Sequence, residues 1–381
     1  LRPTVNSRQT ILLLTAAALL GAGGCSFISN LVNAGGADAA AFTVDLERYD
    51  VRRIDLVRVG GGEGICPGSA VTFKVTAEAV NKKKGKVENL ETADPKAKAS
   101  EARGKMDLTE FAFEVRGGKI ESGVFTPSPD PFVALLGYDV KATYRLDKSK
   151  EVTRHYAPEY SCIAQVGGSG TAGNPGKAGG YGASNGGAGG AGGDGGSGGS
   201  GPRITAHVSI VQTPYYDRVG IVRLAGDVEG LTLFDLSAGV TIAAIGGPGG
   251  HGGPGGPGGE GAKPQGTGGP GGAGGDGGDG GDGGQVVVTL DERFPELGGL
   301  VRVDVSGGPP GEGGSGGRGG AGAPSYKPCG NCEYVPGGKA GPDGPSGRAG
   351  GAGRAGWADV TSGDVSAAFA TLPSGVRLYN G

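Results

Sequence analysis

Apolar and polar residues alternate along three stretches in the first half of the chain: "AVTFKVTAEAV" (70–80), "FAFEVRGGKIESGVF" (111–125) and "YDVKATYRL" (138–146). Successive side chains of an extended chain point to opposite faces, so a period of two predicts half-buried strands. The middle stretch reads as two strands around the Gly117–Gly118 turn. Residues 41–165 are accordingly expected to form a β-sandwich, interrupted by a long polar insertion at 81–107. Past residue 165 the apolar positions come in short runs that bracket glycine tracts. "SCIAQV" and "PRITAHVSIV" flank the first tract, "VTIAAI" and "QVVVTL" the second, "LVRVDV" and "WADVTS" the third. Each tract thus reads as a long excursion from one β-layer.

The tracts themselves repeat. Glycine recurs every third residue from 167 to 182, the frame breaks at 183–185, and an equally long run follows to 201. The second tract pairs 246–261 with 268–284, and the third pairs 307–322 with 337–356. Two similar arms around a turn, three times over, predict three hairpins. A three-residue period is that of a polyproline-II-type helix with a rise of about 3.1 Å, so a 16-residue arm would span about 50 Å. Such a helix makes no internal hydrogen bonds, and its amides need partners on neighbouring arms. The expected fold class is therefore mostly β: a sandwich at 41–165, then a β-layer at 166–381 bearing six polyglycine-II arms. Collagen shares the period but needs three long parallel chains, whereas here the frame breaks about every 16 residues.

Composition changes this picture only by raising the rival of disorder, since 88 Gly and 24 Pro in 381 residues is a low-complexity composition. The net charge of -3 and the short basic run "NKKKGK" at 81–86 give no footprint for nucleic acid.

At the N-terminus, Arg2 and Arg8 precede the apolar run "ILLLTAAALLGAG", the length of a signal-peptide core and too short to span a membrane. The run ends in "AGGCS", which resembles the lipobox of bacterial lipoproteins, with Ala22 where that pattern prefers Leu. The resemblance implies a signal peptide at 1–24, lipidation of Cys25, a linker at 25–40 and a membrane-anchored protein. Ser26 after the cysteine implies the outer membrane by the sorting rule of some lipoproteins. Four cysteines remain, an even number in an oxidising compartment, and they are paired here as Cys66–Cys162 and Cys329–Cys332. "CGNC" also has the spacing of a redox or zinc motif, but no helical period surrounds it and the three histidines are scattered. Tyr160 two residues before Cys162 resembles the tyrosine corner of immunoglobulin-like domains, although no Trp lies in this region. The glycine hairpins resemble, in architecture and period only, the polyglycine-II bundles of certain phage tail-fibre adhesins and springtail antifreeze proteins. They also resemble GGX-rich bacterial lipoproteins.

Candidate chemistry is sparse. Asp276, Asp279 and Asp282 recur at about 9.3 Å, too wide for one calcium ion, and read as a solvated acidic edge. "GGSGG" at 195–199 and 313–317 matches a nucleophile elbow only because nearly every residue is Gly, and "GNPGKA" lacks the Ser or Thr of a phosphate loop. No enzyme, cofactor or metal site is expected. The expectation is a monomeric, surface-anchored binding or adhesion module, with a purely structural envelope component as the alternative. Contact would be made by the bundle's tip turns, through Tyr326, Lys327 and Tyr334, to a surface polysaccharide or protein, since aromatics dominate binding hot spots. Ice binding, suggested by Ala188, Ala191, Ser197 and Ser200 along one arm, is interrupted by Asp194.

Overall fold

Residues 43–94, 98 and 100–380 are described by a computed structural model. The expected signal peptide at 1–24, Cys25 and the expected linker at 25–40 lie outside the described residues. The first nine strands are β1 (Tyr49–Arg58), β2 (Gly64–Ile65), β3 (Val71–Asn81), β4 (Val87–Glu91), β5 (Phe111–Arg116), β6 (Gly118–Glu121), β7 (Val124–Pro127), β8 (Tyr138–Tyr144) and β9 (Glu151–Pro158). One sheet has the order β1-β3-β7-β6 with β4 also on β3, and the other runs β2-β9-β8-β5. Their inner faces share one core that includes Phe73, Val75, Phe111, Phe125, Tyr138 and Val140. The alternation read from the sequence is the burial alternation observed in β3 and β8.

The Gly117–Gly118 stretch departs from expectation. Its flanking strands do not pair with each other: β5 pairs with β8 and β6 with β7, in different sheets. Gly117, at φ +87°, is the corner where the chain crosses over, and a Cβ there would lie 2.8 Å from the Tyr138 ring. A Cβ at Gly118 would lie 2.5 Å from the carbonyl oxygen of Thr126. The hairpin is instead β6–β7, turned by Ser122 and Gly123, both at positive φ. The cysteines pair as expected, Cys66 with Cys162 and Cys329 with Cys332. Cys162 is exposed, however, so the first bridge ties chain segments at the surface instead of crossing the core as in immunoglobulin domains. Nor is Tyr160 a tyrosine corner: its hydroxyl is buried without a hydrogen-bond partner and its ring packs edge-on against Tyr216.

The second unit adds β10 (Gln165–Ser169), β11 (Arg203–Gln212), β12 (Val219–Gly226), β13 (Gly230–Phe234), β14 (Val240–Ile245), β15 (Gln285–Asp291), β16 (Val301–Asp304), β17 (Trp357–Gly363) and β18 (Arg377–Leu378). The strands bracketing the glycine tracts form two sheets, which corrects the single layer expected. The entering strands make the parallel sheet β10-β14-β16, and the leaving strands lie in parallel within β13-β12-β11-β15-β17. The reason is continuity: outgoing arms form one layer and returning arms another, and each strand stays in the layer of the arm it continues. Ile204, Ala206 and Val208, with Ile242, Ala244, Val286 and Val288, fill the space between the sheets. A third cluster, including Leu135 and Tyr160 of the first unit with Val211, Val219, Ile221 and Phe369, joins the two units. It sits at the end of β11 away from the glycine tract, so the order along the molecule is sandwich, paired sheets, bundle, turns.

The six arms are 1a (170–182), 1b (187–201), 2a (246–261), 2b (268–284), 3a (307–322) and 3b (338–356). In each triplet one amide of arms 1a, 3a and 3b, and two of arms 1b, 2a and 2b, donate to neighbouring arms at 2.7–3.0 Å. Arm 1a donates to 2a, for example Gly176 to His251, and 1b donates to both 1a and 2b, as Gly193 to Lys177 and Gly195 to Asp276. Arm 2a bonds 1b and 3a, 2b bonds 2a and 3b, 3a bonds 2b, and 3b bonds 3a. The expected period of three is thus the period of the hydrogen bonds.

Arms 1a and 3b each touch two other arms, 1b and 3a three, and 2a and 2b four. Glycine content follows this ranking. Arms 1a and 3b require Gly at one residue per triplet and carry side chains such as Thr171, Ala172, Asn174 and Pro175 at the others. The remaining arms have two Gly per triplet, because two of their three residue rows press on neighbours. An added Cβ at Gly253 would meet the Lys177 carbonyl oxygen at 2.0 Å, and one at Gly275 would meet that of Gly193 at 2.0 Å. Gly180 faces outward with no atom within 4 Å. Prolines such as Pro248, Pro254 and Pro270 occupy the row whose N–H meets no backbone carbonyl of a neighbouring arm, so the missing donor costs little there while the carbonyl still accepts.

Gly253→Ala should therefore destabilise the chain by roughly 2 kcal/mol or more, as overpacking against fixed backbone does. Gly180→Ala should stay within about 0.5 kcal/mol of the parent. Paired thermal melts check both; equal melts would mean that the close approach is not what holds the arms.

Candidate interaction surface

The three turns lie side by side at the far end of the bundle. Gly186, in the first, donates to the carbonyl of Glu260 beside the second (2.8 Å), and Ala323, at the base of the third, donates to that of Gly266 (2.9 Å). The first two close in the same way, Gly187 donating to Ala183 (3.0 Å) and Gly266 to Ala262 (2.7 Å). In both, the residue before the glycines sits in the left-handed region, Asn185 at φ +77° and Gln265 at +61°. Asn adopts that conformation more readily than most residues because its short amide can bond locally.

The third turn, 324–336, is built differently. Tyr326 and Val335 exchange two backbone hydrogen bonds of 3.2 and 2.9 Å, and the Cys329–Cys332 bridge closes the tip above them. Opposite ends of the loop are thereby held together, and Lys327 is placed with its Nζ 5.9 Å from the centre of the Tyr334 ring. Tyr334 is 71% exposed and Tyr326 is half-buried. Of the three residues expected to make contact, Lys327 and Tyr334 come together as a cation–aromatic pair, while Tyr326 contributes the bridge that orients them. Sequence reasoning missed Tyr181, which is 88% exposed near the end of arm 1a. The available signal was its place in a one-glycine-per-triplet arm, where two rows face solvent.

The polar side chains of the shaft have a different task. Asp276, Asp279 and Asp282 accept the amides of Arg348 (2.7 Å), Gly351 (2.6 Å) and Arg354 (2.8 Å) of arm 3b. Asp194 accepts the amide of Asp276 itself (2.8 Å), His251 Nδ1 that of Glu312 (3.2 Å) and Asp343 that of Gly319 (2.7 Å). These side chains accept from amides that reach no neighbouring carbonyl. The aspartate row is thus exposed, as expected of an acidic edge, and each carboxylate also ties one arm to the next. Among the described residues, no three His, Cys, Asp or Glu side chains come together as metal ligands.

Two concavities elsewhere are lined by groups already bonded to other side chains. A cavity of about 110 Å³ at the junction of the two units is lined by Glu159, Tyr160, Tyr216, Arg218 and Asp235; Arg218 is paired with Glu296 at 2.6 Å. In the cleft beside β18, Gln212 bonds both Asp217 (3.1 Å) and Arg377 (3.0 Å). Asp291 is buried beside Ser209 (2.6 Å) and Arg293 (2.7 Å); burial works against its charge, but these donors prevail and hold its pKa below the usual range. His207, opposite Arg223 across β11 and β12, has its pKa lowered by burial and then by the Arg223 charge, and its Nδ1 is buried unbonded. No family model matches the chain, and no curated protein or solved structure matches it either. Among the described residues, no helix is long and apolar enough to cross a membrane.

Two outcomes are expected. Asp279→Ala leaves the Gly351 amide without its acceptor and should cost about 1 kcal/mol in thermal melts, with Asp279→Asn recovering part of it. His207 favours its neutral form in the folded state, so stability is full above the unfolded-state value of 6.5 and declines as the pH falls below it. The melting point should therefore drop between about pH 7.5 and about pH 5, and less so in His207→Gln.

Proposed function

We propose that this chain is a non-enzymatic binding module of the bacterial cell envelope, anchored through lipidated Cys25 and carrying its contact residues on the turns of a polyglycine-II shaft. The observation that carries the reading is the third turn: an exposed Tyr334 with Lys327 beside it, on a loop closed by a disulfide and a backbone bridge. An exposed aromatic normally loses side-chain and loop freedom on binding, and a loop ordered in advance reduces that loss. The shaft supports the reading as well. Its triplet hydrogen bonding fits polyglycine-II geometry, each arm bonds at least two others, and the turns lie at the opposite end from the sandwich, the unit nearest in sequence to Cys25. A tyrosine with an adjacent ammonium group suits a polysaccharide, whose sugar rings stack on aromatic faces and whose hydroxyl or carboxylate groups take the charge.

Beads coated with the purified chain should be retained under flow on immobilised dextran or alginate, and both Tyr334→Ala and Lys327→Ala should reduce retention at least about tenfold. Ser197→Ala, on the shaft, should not. Equal retention of all variants, or loss with Ser197→Ala, would overturn the assignment of contact to the third turn, and no retention of the parent chain would shift the assignment to a purely structural shaft.

A further inference from the structure

β17 is an edge strand of a kind that folded proteins seldom leave open. It pairs in parallel with β15 on one side, and among the described residues no strand lies on the other. Its first six residues are all exposed, including Trp357 at 55% and Val360 at 48%. Edges are ordinarily blunted by Lys, Pro, a bulge or short length. The sequence "WADVTSG" carries one charge, Asp359, but no Lys, Pro or bulge over seven residues, and its ladder with β15 runs without a register shift. The arm leading into it differs: 3b carries Pro342, Pro345, Arg348 and Arg354.

The backbone of β17 is also complementary to itself. Trp357 donates its amide to Gly284 and Gly363 accepts from Glu292, so the odd-numbered residues bond toward the β15 side. Residues of a strand alternate in direction, which turns the N–H and C=O groups of Ala358, Val360 and Ser362 outward. These three are spaced symmetrically about Val360.

We propose that β17 is a self-recognition edge, through which two copies of the chain pair antiparallel about a two-fold axis at Val360. In that register Val360 faces the partner's Val360, and Ala358 faces the partner's Ser362. Each of these positions exchanges both backbone hydrogen bonds, and six form in all. No like charges oppose, because Asp359, the strand's one charged residue, faces the partner's Thr361. Trp357 lies opposite the partner's Gly363, which leaves room for the indole. The contact is isologous and closes as a dimer. A seven-residue ladder is small beside the roughly 1,200 Å² of a stable interface, so the pair should dissociate on dilution.

Trp357 is the only tryptophan of the chain and reports on this strand alone. Light scattering and tryptophan emission of the full chain, carrying Cys25→Ser to exclude thiol coupling, would be followed from roughly 1 µM to roughly 500 µM. The expected result is a rise toward twice the chain mass together with a blue shift of the emission. Val360→Lys, which places two ammonium groups face to face, should hold the chain at single mass with an unchanged melt. Should that variant fold poorly, Ser362→Pro removes one outward donor and should weaken pairing at least about tenfold. A single mass throughout, or equal dimerisation of both variants, would overturn the proposal.

Discussion

The fold depends on how closely two backbones can approach. In the bundle, neighbouring arms bond through amides at 2.7–3.0 Å, and a single Cβ on the contacting rows would stand about 2 Å from a carbonyl oxygen. Glycine is required there by contact between arms, more than by any unusual conformation of its own. Its large loss of backbone entropy must be offset by hydrogen bonds that only the assembled bundle can supply. A lone arm has no such partners, so the six form together or not at all.

The two sheets make that assembly possible. Parallel pairing in β10-β14-β16 and in β11-β15-β17 sets the relative height of consecutive arms before the first glycine triplet begins. A shift of one residue in either sheet would bring side-chain rows against the neighbouring backbone. The apolar core between the sheets therefore holds the register of a bundle that has almost no apolar surface of its own. The aspartates along the returning arms add specific ties where carbonyl acceptors run out.

Rigidity then has a consequence at both ends of the shaft. At the turns, residues distant in sequence are held side by side, and the third turn orders an exposed tyrosine and lysine that a flexible loop would scatter. At the root, the sheet ends in an open strand. The same parallel stacking that orders the arms leaves the last strand without a neighbour, which is why the outermost edge is where association between copies is proposed.

Much was legible in the sequence because the signals are local and periodic. Period two located β3 and β8, period three located the arms and their turns, and the even cysteine count pointed to two bridges without fixing their pairing. The corner at Gly117 was misread as a hairpin because a Gly-Gly pair looks alike in a turn and in a crossover, and only the pairing of β5 with β8 separates them. Tyr160 matched a motif by spacing, yet its hydroxyl found no partner because the ring was drawn into the junction between the units. The turn residues Lys327 and Tyr334 could be nominated from sequence, but their proximity required the Tyr326–Val335 bridge. By itself, then, the sequence determined that the arms exist and how many rows of each can carry side chains, since steric exclusion of a Cβ is written into every triplet. Only the tertiary structure decided which arms touch, that their strands divide between two sheets and which edge stays open, because these follow from packing among segments far apart in the chain.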